Sequence, residues 1–387
     1  MAQRQFKLPG VDQLNKDQDK VLRLPEDGQY LIIGGPGTGK SVVALLRTLK
    51  YLKNNNYIFL TYNKVLLSSC LQLVQRNLRS RTLTSFIYKE YSKQFSKATP
   101  EIKKYIPDYE QIIKDFEKLN KDPISLHLII DEGQDMPPKY YEALIHLGIE
   151  NFFIVADQNQ QITDQNSSIK ELANILGLEY EIVKDNELNV NYRNSHPIAL
   201  FASEFYTDPA SPPPDLPPPS KTSLGTPVLY KYSYFQDCVK AILQEADKDT
   251  RNLIGVVVAN DRIRDKFIKS IEKVDIQLDN QKPIISTYTG SDKIPPNIDF
   301  TQRGIIVLND KSIKGLEFDI VFIILDGFKI HNNDTLSMKK RFYVMSSRAI
   351  KKLILFQNEN DVCGVEKIMP TDENILKRKR YNYDSKK

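Results

Sequence analysis

Short apolar runs recur along the chain, and segments with helical periodicity separate many of them. The runs have the length of buried strands and predict strands at 29–33, 57–61, 126–131, 152–156, 226–232, 253–258, 304–308, 320–325 and 353–356. Helical patterns are predicted at 42–53, 109–119, 236–247 and 262–273. Alternating strands and helices favour an α/β fold with parallel sheets.

Composition restricts the class of protein. With 387 residues the chain is long enough for two domains or three small ones, and its net charge of +5 permits a polyanionic partner without requiring one. The cysteines Cys70, Cys238 and Cys363 are far apart, which fits a reducing compartment. No apolar run is long enough for a bilayer, and the first residues do not resemble a signal peptide. We therefore expect a cytoplasmic protein without a membrane partner.

The segment after the first predicted strand has the chemistry of a phosphate cradle. It reads Gly-Gly-Pro-Gly-Thr-Gly-Lys-Ser and leads into a predicted helix. Glycines let backbone N–H groups approach an anion, and a helix N-terminus adds partial positive charge. Lys40 would contact the β- and γ-phosphates, and the Ser41 hydroxyl would hold Mg²⁺. The predicted nucleotide-binding residues of this loop are Gly35, Pro36, Gly37, Thr38, Gly39, Lys40 and Ser41.

Carboxylates follow another predicted buried strand, 126–131. Asp131 and Glu132 stand where this strand ends, and open parallel sheets bind ligands at that edge. Asp131 would hold the Mg²⁺ water shell, and Glu132 would polarise the attacking water. The sequence thus predicts hydrolysis of a nucleoside triphosphate as well as binding.

With these two motifs placed, residues from about 11 to 357 resemble the UvrD/Rep type of superfamily 1 helicases. The segment Leu14–Gln18 is similar to the family's Q-motif, which implies that the amide of Gln18 reads adenine. The segments 153–162, 188–195, 314–322 and 340–349 are similar to later motifs of the family. The resemblance implies two RecA-like P-loop NTPase domains, with parallel sheets flanked by helices and an ATP site in the cleft between them.

The same resemblance assigns further nucleotide contacts. Gln160 would sense the γ-phosphate, and Tyr192 would stack on adenine. Arg193 and Arg348 would act as arginine fingers, and Glu317 would contact the ribose. The implied cofactors are ATP and Mg²⁺.

Contacts to single-stranded nucleic acid are implied for two segments that follow strands. Tyr62 stands where the family has an aromatic that stacks on a base, and hydroxyl groups would contact phosphates. The predicted contacts are Thr61, Tyr62, Asn63, Thr82 and Phe86.

Several positions depart from the family pattern. Val42 stands where an arginine often closes the adenine site, and 163–168 lack the usual base-stacking aromatics. Leu83 and Thr84 replace an aromatic and a histidine. Asn309 and Lys311 replace threonine and histidine, and Ser347 replaces threonine.

Spacing predicts a minimal motor that lacks most accessory insertions. We expect a first domain at 1–190, with a small helical insertion at about 88–125, and a second domain at 191–373. A proline-rich segment at 208–220 is expected as an extended loop, and 374–387 as a solvated basic tail that ends in Lys386 and Lys387.

Two functions fit these observations. The first is an ATP-dependent translocase or helicase on single-stranded DNA, 3′ to 5′ by the resemblance. The second is an ATPase regulatory subunit that switches a protein partner, such as a nuclease or a phage-defence effector, without unwinding DNA. The departure at 163–168 favours the second, whereas the nucleotide motifs favour the first.

Overall fold

The computed structural model of the chain describes residues 6–52, 56–75, 77–119, 122–161, 166–208, 213–219, 225–288, 297–360 and 364–381. These residues divide into two compact units. The N-terminal unit is Lys7–Asn189, and the C-terminal unit is Val190–Lys387 together with the short segment that ends at Phe6. Each unit has its own sheet and its own hydrophobic core.

The N-terminal unit is built on a parallel sheet. Its strands are β1 (Gln29–Gly34), β2 (Tyr57–Thr61), β3 (Ser80–Thr82), β4 (Glu101–Lys103), β5 (Ile106–Pro107), β6 (Ile124–Ile130), β7 (Ile149–Ala156) and β8 (Glu187–Leu188). Its helices are α1 (Lys16–Leu22), α2 (Lys40–Lys50), α3 (Lys64–Val74), α4 (Leu83–Phe95), α5 (Tyr109–Glu117), α6 (Pro138–His146), α7 (Ile169–Ile175) and α8 (Tyr180–Asp185). The sheet order is β3-β2-β6-β7-β1-β8, and all its pairs are parallel.

The two faces of this sheet carry different helices. Leu60, Ile130 and Ala156, near the ends of β2, β6 and β7, belong to one core cluster whose other members come largely from α4 to α8. The buried residues of α2 lie outside that cluster. Because side chains alternate along a strand, the residue after each of these three points to the opposite face, on which α2 lies.

The segment 88–125 corrects one expectation of the sequence analysis. It contains the last part of α4 and all of α5, as a helical insertion would. Between them, however, β4 and β5 form an antiparallel hairpin, and β6 already begins at Ile124. The hairpin has only two or three residues on each strand, too few for a periodic pattern to be visible in the sequence.

The C-terminal unit is built on a second parallel sheet. Its strands are β9 (Val228–Tyr232), β10 (Leu253–Val258), β11 (Ile285–Thr287), β12 (Gly304–Asn309), β13 (Phe318–Ile324), β14 (Ala349–Asn358) and β15 (Lys377–Arg380). Its helices are α9 (His196–Ser203), α10 (Phe235–Lys248), α11 (Asp261–Lys273) and α12 (Thr335–Ser346). The sheet order is β11-β12-β10-β13-β14-β9-β15, again parallel throughout. The predicted α/β fold with two helix-flanked parallel sheets is confirmed.

The basic segment near the C-terminus is part of this sheet. Lys377–Arg380 pair with β9 along its length, so the expected solvated tail is wrong for these residues. Charged residues on an edge strand discourage pairing with other chains, which explains how a sheet strand comes to read as a basic run. Lys386 and Lys387 lie outside the described residues.

The proline-rich segment has neither helix nor strand where it is described. Within 213–219 the backbone contains no helix or strand, only an isolated bridge between Asp215 and Val190. Residues 209–212 and 220 lie outside the described part of the chain. Separately, none of the helices in the described ranges combines the length and apolar character needed to span a bilayer.

Tyr381 anchors the edge strand β15, and its truncation tests that arrangement. Its ring lies edge-on to Tyr230 at 5.4 Å and to Phe356 at 5.7 Å, and its N–H donates to Lys231 O at 2.7 Å. We expect Tyr381→Ala to lower the free energy of unfolding by about 1–2 kcal/mol, because it removes two aromatic contacts. Urea denaturation followed by circular dichroism measures the change. The exposed Lys379→Ala is the control, and equal unfolding curves for both variants would contradict the packed edge strand.

Candidate functional site

The loop between β1 and α2 has a backbone that only small residues allow. Gly37 and Gly39 adopt φ of 79° and 87°, in the left-handed region that favours glycine. A Cβ atom on Gly39 would lie 2.4 Å from Nε2 of Gln18. Helix α2 begins at Lys40, directly after this loop, so its first N–H groups face the turn. The geometry is that of an anion cradle.

Lys40 is buried within this cradle. Its Nζ donates hydrogen bonds of 2.7 Å to Gly34 O and of 2.7 Å to Gly35 O, and it lies 3.9 Å from Oδ2 of Asp157. The ammonium group is thus held over the loop by two carbonyls and a carboxylate. A buried cation at this position is available to phosphate oxygens.

The structure places Gln18 against the phosphate loop. Its Nε2 donates to Thr38 O at 2.9 Å, and its Oε1 accepts from Asn15 N at 3.1 Å as part of the N-terminal cap of α1. Gln18 is therefore a brace between α1 and the loop. Its predicted contact with adenine stays a prediction.

Ser41 and Asp131 come together as the sequence analysis expects of metal ligands. Asp131 follows β6 and is 1% exposed, and the Ser41 hydroxyl is near enough to its carboxylate to lower the pKa of that group. Its Oδ1 accepts from Glu132 N at 3.0 Å, whereas its buried Oδ2 has no hydrogen-bond partner among the described residues. A hydroxyl and a carboxylate with a spare oxygen fit Mg²⁺, which prefers oxygen ligands. Among the described residues, no cluster of three or more His, Cys, Asp or Glu side chains forms another metal site.

Burial raises the pKa of Asp131 to about 7, and the negative charge of Glu132 acts in the same direction. The Ser41 hydroxyl and the Lys40 ammonium oppose this rise. Burial also raises the pKa of Asp157, against the influence of Lys40 and Gln160. Both carboxylates are therefore costly to keep ionised in this environment, and a nearby cation would lower that cost.

Glu132 has a constrained backbone and a fixed side chain. Its φ of 60° lies in the left-handed region, which is uncommon for a residue other than glycine and is frequent at functional sites. Its Oε2 accepts from Nε2 of Gln134 at 2.6 Å. The carboxylate predicted to polarise water is thereby held in one orientation.

Gln134 and Asp157 are buried residues of the candidate site that the sequence analysis did not assign. Gln134 is fully buried, and besides Glu132 it bonds the next strand, because its Oε1 accepts from Asp157 N at 3.0 Å. Asp157 in turn accepts from Nε2 of Gln160 at 2.6 Å. One chain of hydrogen bonds therefore links the ends of β6 and β7. The signal was present in the sequence, since Asp157 directly follows a buried strand and Gln134 lies four residues after the end of another.

The predicted nucleic-acid contacts divide into three kinds. Asn63 and Thr82 cap helices: Asn63 Oδ1 accepts from Leu66 N at 2.8 Å, and Thr82 is the N-cap of α4. Tyr62 is partly buried against the N-terminal core. Thr61 and Phe86 are 0% and 1% exposed, so neither is a surface contact, and Phe86 is a core residue. Phe86 lies within α4, on the side of the helix that packs into the core, which is why it is not exposed.

In the C-terminal unit, the residues around Arg193 and Arg348 are tied together. Asn194 Nδ2 donates to Ser347 O at 3.0 Å and to Ala349 O at 2.6 Å, and Asn191 bonds Asn194. Asn194 was not assigned from the sequence, because its partners lie more than 150 residues away.

The two candidate arginine fingers differ in exposure and in partners. Arg193 Nε donates to Glu317 Oε1 at 2.7 Å and forms an ion pair with the same carboxylate. Arg348 is 1% exposed, and its Nε donates to Val344 O at 2.9 Å. Tyr192, the predicted adenine partner, is 59% exposed. The roles of these three residues at a nucleotide stay predictions. Thr163, Asp164 and Gln165 of the divergent segment lie outside the described residues.

Comparisons with known proteins give a similarity to helicases at a coarse level. The family model of the Schlafen group 3 DNA/RNA helicase domain matches residues 28–215. One solved structure that matches is the C-terminal domain of a possible DNA helicase from Lactobacillus plantarum WCFS1, at 16% identity and a TM-score of 0.32, covering 49% of this chain and 99% of that one. No curated protein matches the chain. Residues 28–215, which contain the phosphate loop, Asp131 and Glu132, are therefore helicase-like, and this supports a function of the NTPase type.

The raised pKa of Asp131 predicts how stability depends on pH. Its pKa in the folded protein is about 7, compared with an ordinary value of 3.8, so its contribution to stability is complete below about pH 4 and is lost as the pH rises through 7. In the presence of a chelator, we expect Asp131→Asn to exceed wild type in free energy of unfolding by about 2–4 kcal/mol at pH 8, with little difference at pH 4. Urea denaturation at several pH values measures this. The exposed Glu150→Gln serves as control, and a difference independent of pH would refute the assignment.

Proposed function

We propose that the protein is an ATP-dependent translocase of the UvrD/Rep type that acts on single-stranded nucleic acid, with Mg²⁺ as cofactor. The observation that carries the proposal is the assembly of Lys40, Ser41, Asp131 and Glu132 at the carboxyl edge of one parallel sheet. Binding of a triphosphate needs the cradle and the ammonium group, and its hydrolysis needs a base and a metal site. Residues that could supply all four lie within the N-terminal unit.

The chemistry assigned to this site is hydrolysis of the terminal phosphoanhydride. Glu132 accepts a proton from water as the water oxygen bonds to the γ-phosphorus, and the bond to the ADP oxygen breaks. Lys40 neutralises charge on the β- and γ-oxygens. Ser41 and Asp131 would hold Mg²⁺, which supplies further charge neutralisation. Gln134 keeps the Glu132 carboxylate in place through the bond of 2.6 Å.

Residues from both units are proposed to take part in selecting and sensing the nucleotide. Gln18 would contribute an amide edge, and the exposed ring of Tyr192 would stack on adenine. Gln160 would report on the γ-phosphate, since its amide already bonds the Asp157 carboxylate beside Lys40. Arg193 and Arg348 are proposed to stabilise the γ-phosphate during transfer, on the strength of the sequence resemblance.

Contact with nucleic acid is proposed for the segment that follows β2. Tyr62 is the candidate for base stacking, and Asn63 and Thr82 begin helices at the same edge of the sheet. The similarity of residues 28–215 to a DNA/RNA helicase domain supports this class of partner and leaves DNA and RNA both to be tested. Direction of movement, 3′ to 5′, is proposed by the resemblance alone.

Substitution of Lys40, the proposed phosphate contact, or of Glu132, the proposed base, tests whether the protein hydrolyses ATP. We expect Lys40→Ala to lose ATP turnover and to bind ATP weakly, because the charge over the cradle is gone. Glu132→Gln should lower turnover by about 10²-fold or more while ATP binding remains, because the side chain keeps its shape but accepts no proton. Phosphate release and binding of a fluorescent ATP analogue measure the two effects. Lys170→Ala and Glu150→Gln, on the surface, are matched controls, and normal turnover by Glu132→Gln would contradict its role as the base.

Stimulation by single strands tests the motor. We expect single-stranded DNA or RNA to raise ATP turnover at low salt and to lose this effect at high salt, since phosphate contacts dominate such binding. Tyr62→Ala should raise the oligonucleotide concentration needed for half-maximal stimulation by about tenfold, whereas Tyr62→Phe keeps the stacking ring and should not. A wild-type rate that neither nucleic acid changes would exclude the translocase. In that case strand displacement on a tailed duplex, with and without co-purifying proteins, tests the regulatory ATPase subunit.

A further inference from the structure

Thr61 has a buried hydroxyl that the fold itself does not use. Its side chain is 0% exposed, and its Oγ1 has no hydrogen-bond partner among the described residues. Buried hydroxyls are nearly always bonded, because an unsatisfied one loses its hydration without compensation. An unbonded hydroxyl at this buried position suggests that a bound ligand supplies its hydrogen-bond partner.

The strand register places Thr61 beside Asp131. Leu60 pairs with Ile130, and Asp131 N donates to Leu60 O at 2.8 Å, so Thr61 and Asp131 are neighbours at the ends of adjacent strands. Adjacent strands lie about 4.8 Å apart. Thr61 is therefore close to the carboxylate that is proposed to hold the metal.

The alternation of side chains along β2 determines which face of the sheet the Thr61 side chain occupies. Leu60 belongs to the core cluster on the face of α4 to α8, and Tyr62 packs against the same cluster. Thr61 alternates with both and so points to the opposite face, where α2 lies. Asp131 follows Ile130 of that cluster and so points the same way, which agrees with the influence of Ser41 of α2 on the pKa of Asp131.

Two neighbouring oxygens thus share one unusual property. Asp131 Oδ2 and Thr61 Oγ1 are both buried, and neither has a hydrogen-bond partner among the described residues. Although one belongs to a carboxylate and the other to a hydroxyl, they do not bond each other. Both can accept hydrogen bonds, so a single group with two donors would satisfy both. A water molecule coordinated to a cation is such a group, and Mg²⁺ in nucleotide sites keeps several of its waters.

We propose that Thr61 belongs to the nucleotide site, where its hydroxyl and the Asp131 carboxylate hold the same water of the Mg²⁺ shell. This inference rests on the proposed function and changes the role expected of Thr61 from a nucleic-acid contact to a positioning residue for the metal. It also assigns different roles to the adjacent residues Thr61 and Tyr62. Thr61 faces the nucleotide, and Tyr62, on the other face, is the one available to nucleic acid.

The test uses the isosteric variant Thr61→Val in the full chain. Binding of a fluorescent ATP analogue is measured with Mg²⁺ and with EDTA, and thermal unfolding is measured without nucleotide. We expect Mg²⁺-dependent affinity to fall about tenfold, while affinity in EDTA stays at the wild-type value. The unfolding temperature without nucleotide should be unchanged or higher, because valine removes an unsatisfied hydroxyl. Thr61→Ser, which keeps the hydroxyl, should restore Mg²⁺-dependent affinity.

Thr48→Val is the matched control. Thr48 is also 0% exposed, but its hydroxyl donates to Ala44 O at 2.9 Å within α2, so its loss should leave Mg²⁺-dependent binding unchanged. Wild-type affinity in Thr61→Val would overturn the inference, as would a lower unfolding temperature with unchanged binding, which indicates a structural role. If Thr61→Val binds oligonucleotide more weakly but has normal affinity for Mg·ATP, Thr61 is a nucleic-acid contact, as the sequence analysis expects. Failure of the wild type to bind Mg·ATP would instead remove the proposed function, and this inference with it.

Discussion

The site depends on the burial of charged groups at the carboxyl ends of parallel strands. Lys40, Asp131, Glu132 and Asp157 are each less than 9% exposed, and three of the four are acids. Ionised carboxylates taken out of water are costly unless cations or hydrogen bonds compensate them, and the raised pKa of Asp131 and of Asp157 expresses that cost. The Lys40 ammonium group lies near Asp157, and its single positive charge does not balance the charges of the three acids when all are ionised. The fold thus creates an environment that a divalent cation would stabilise.

The central strands could be predicted from the sequence because each is an apolar run with buried residues on both faces. The edge strands could not. Ser80–Thr82 and Lys377–Arg380 are short and polar, and each is a strand because a neighbour supplies a partner, not because its own residues favour one. The same limit applies to the hairpin of β4 and β5. Local pattern therefore predicted the middle of each sheet and missed its borders.

Within the candidate site, motifs predicted the residues that follow strands but not what joins them. Lys40, Ser41, Asp131 and Glu132 are recognisable because their spacing relative to apolar runs carries the chemistry. The bond from Gln134 to Asp157 N spans 23 residues, and those of Asn194 to α12 and β14 span more than 150. Such contacts depend on which strands become neighbours, and no periodicity encodes that. Thr61 shows a related limit, because only the pleat of β2 shows which face its side chain occupies.

The distribution of satisfied polar atoms separates scaffold from ligand contacts. Gln134 and Asn194 are buried amides whose oxygen and nitrogen atoms both have protein partners, so they hold other groups in place. In contrast, Oδ2 of Asp131, Oγ1 of Thr61 and Nη1 of Arg193 are buried atoms that have no hydrogen-bond partner within the part of the chain that the structure describes. The first two are acceptors, suited to hydrated metal, and the third is a cationic donor, suited to phosphate. Because native proteins seldom leave such atoms unsatisfied, each of the three is a candidate for contact with a ligand within its own unit.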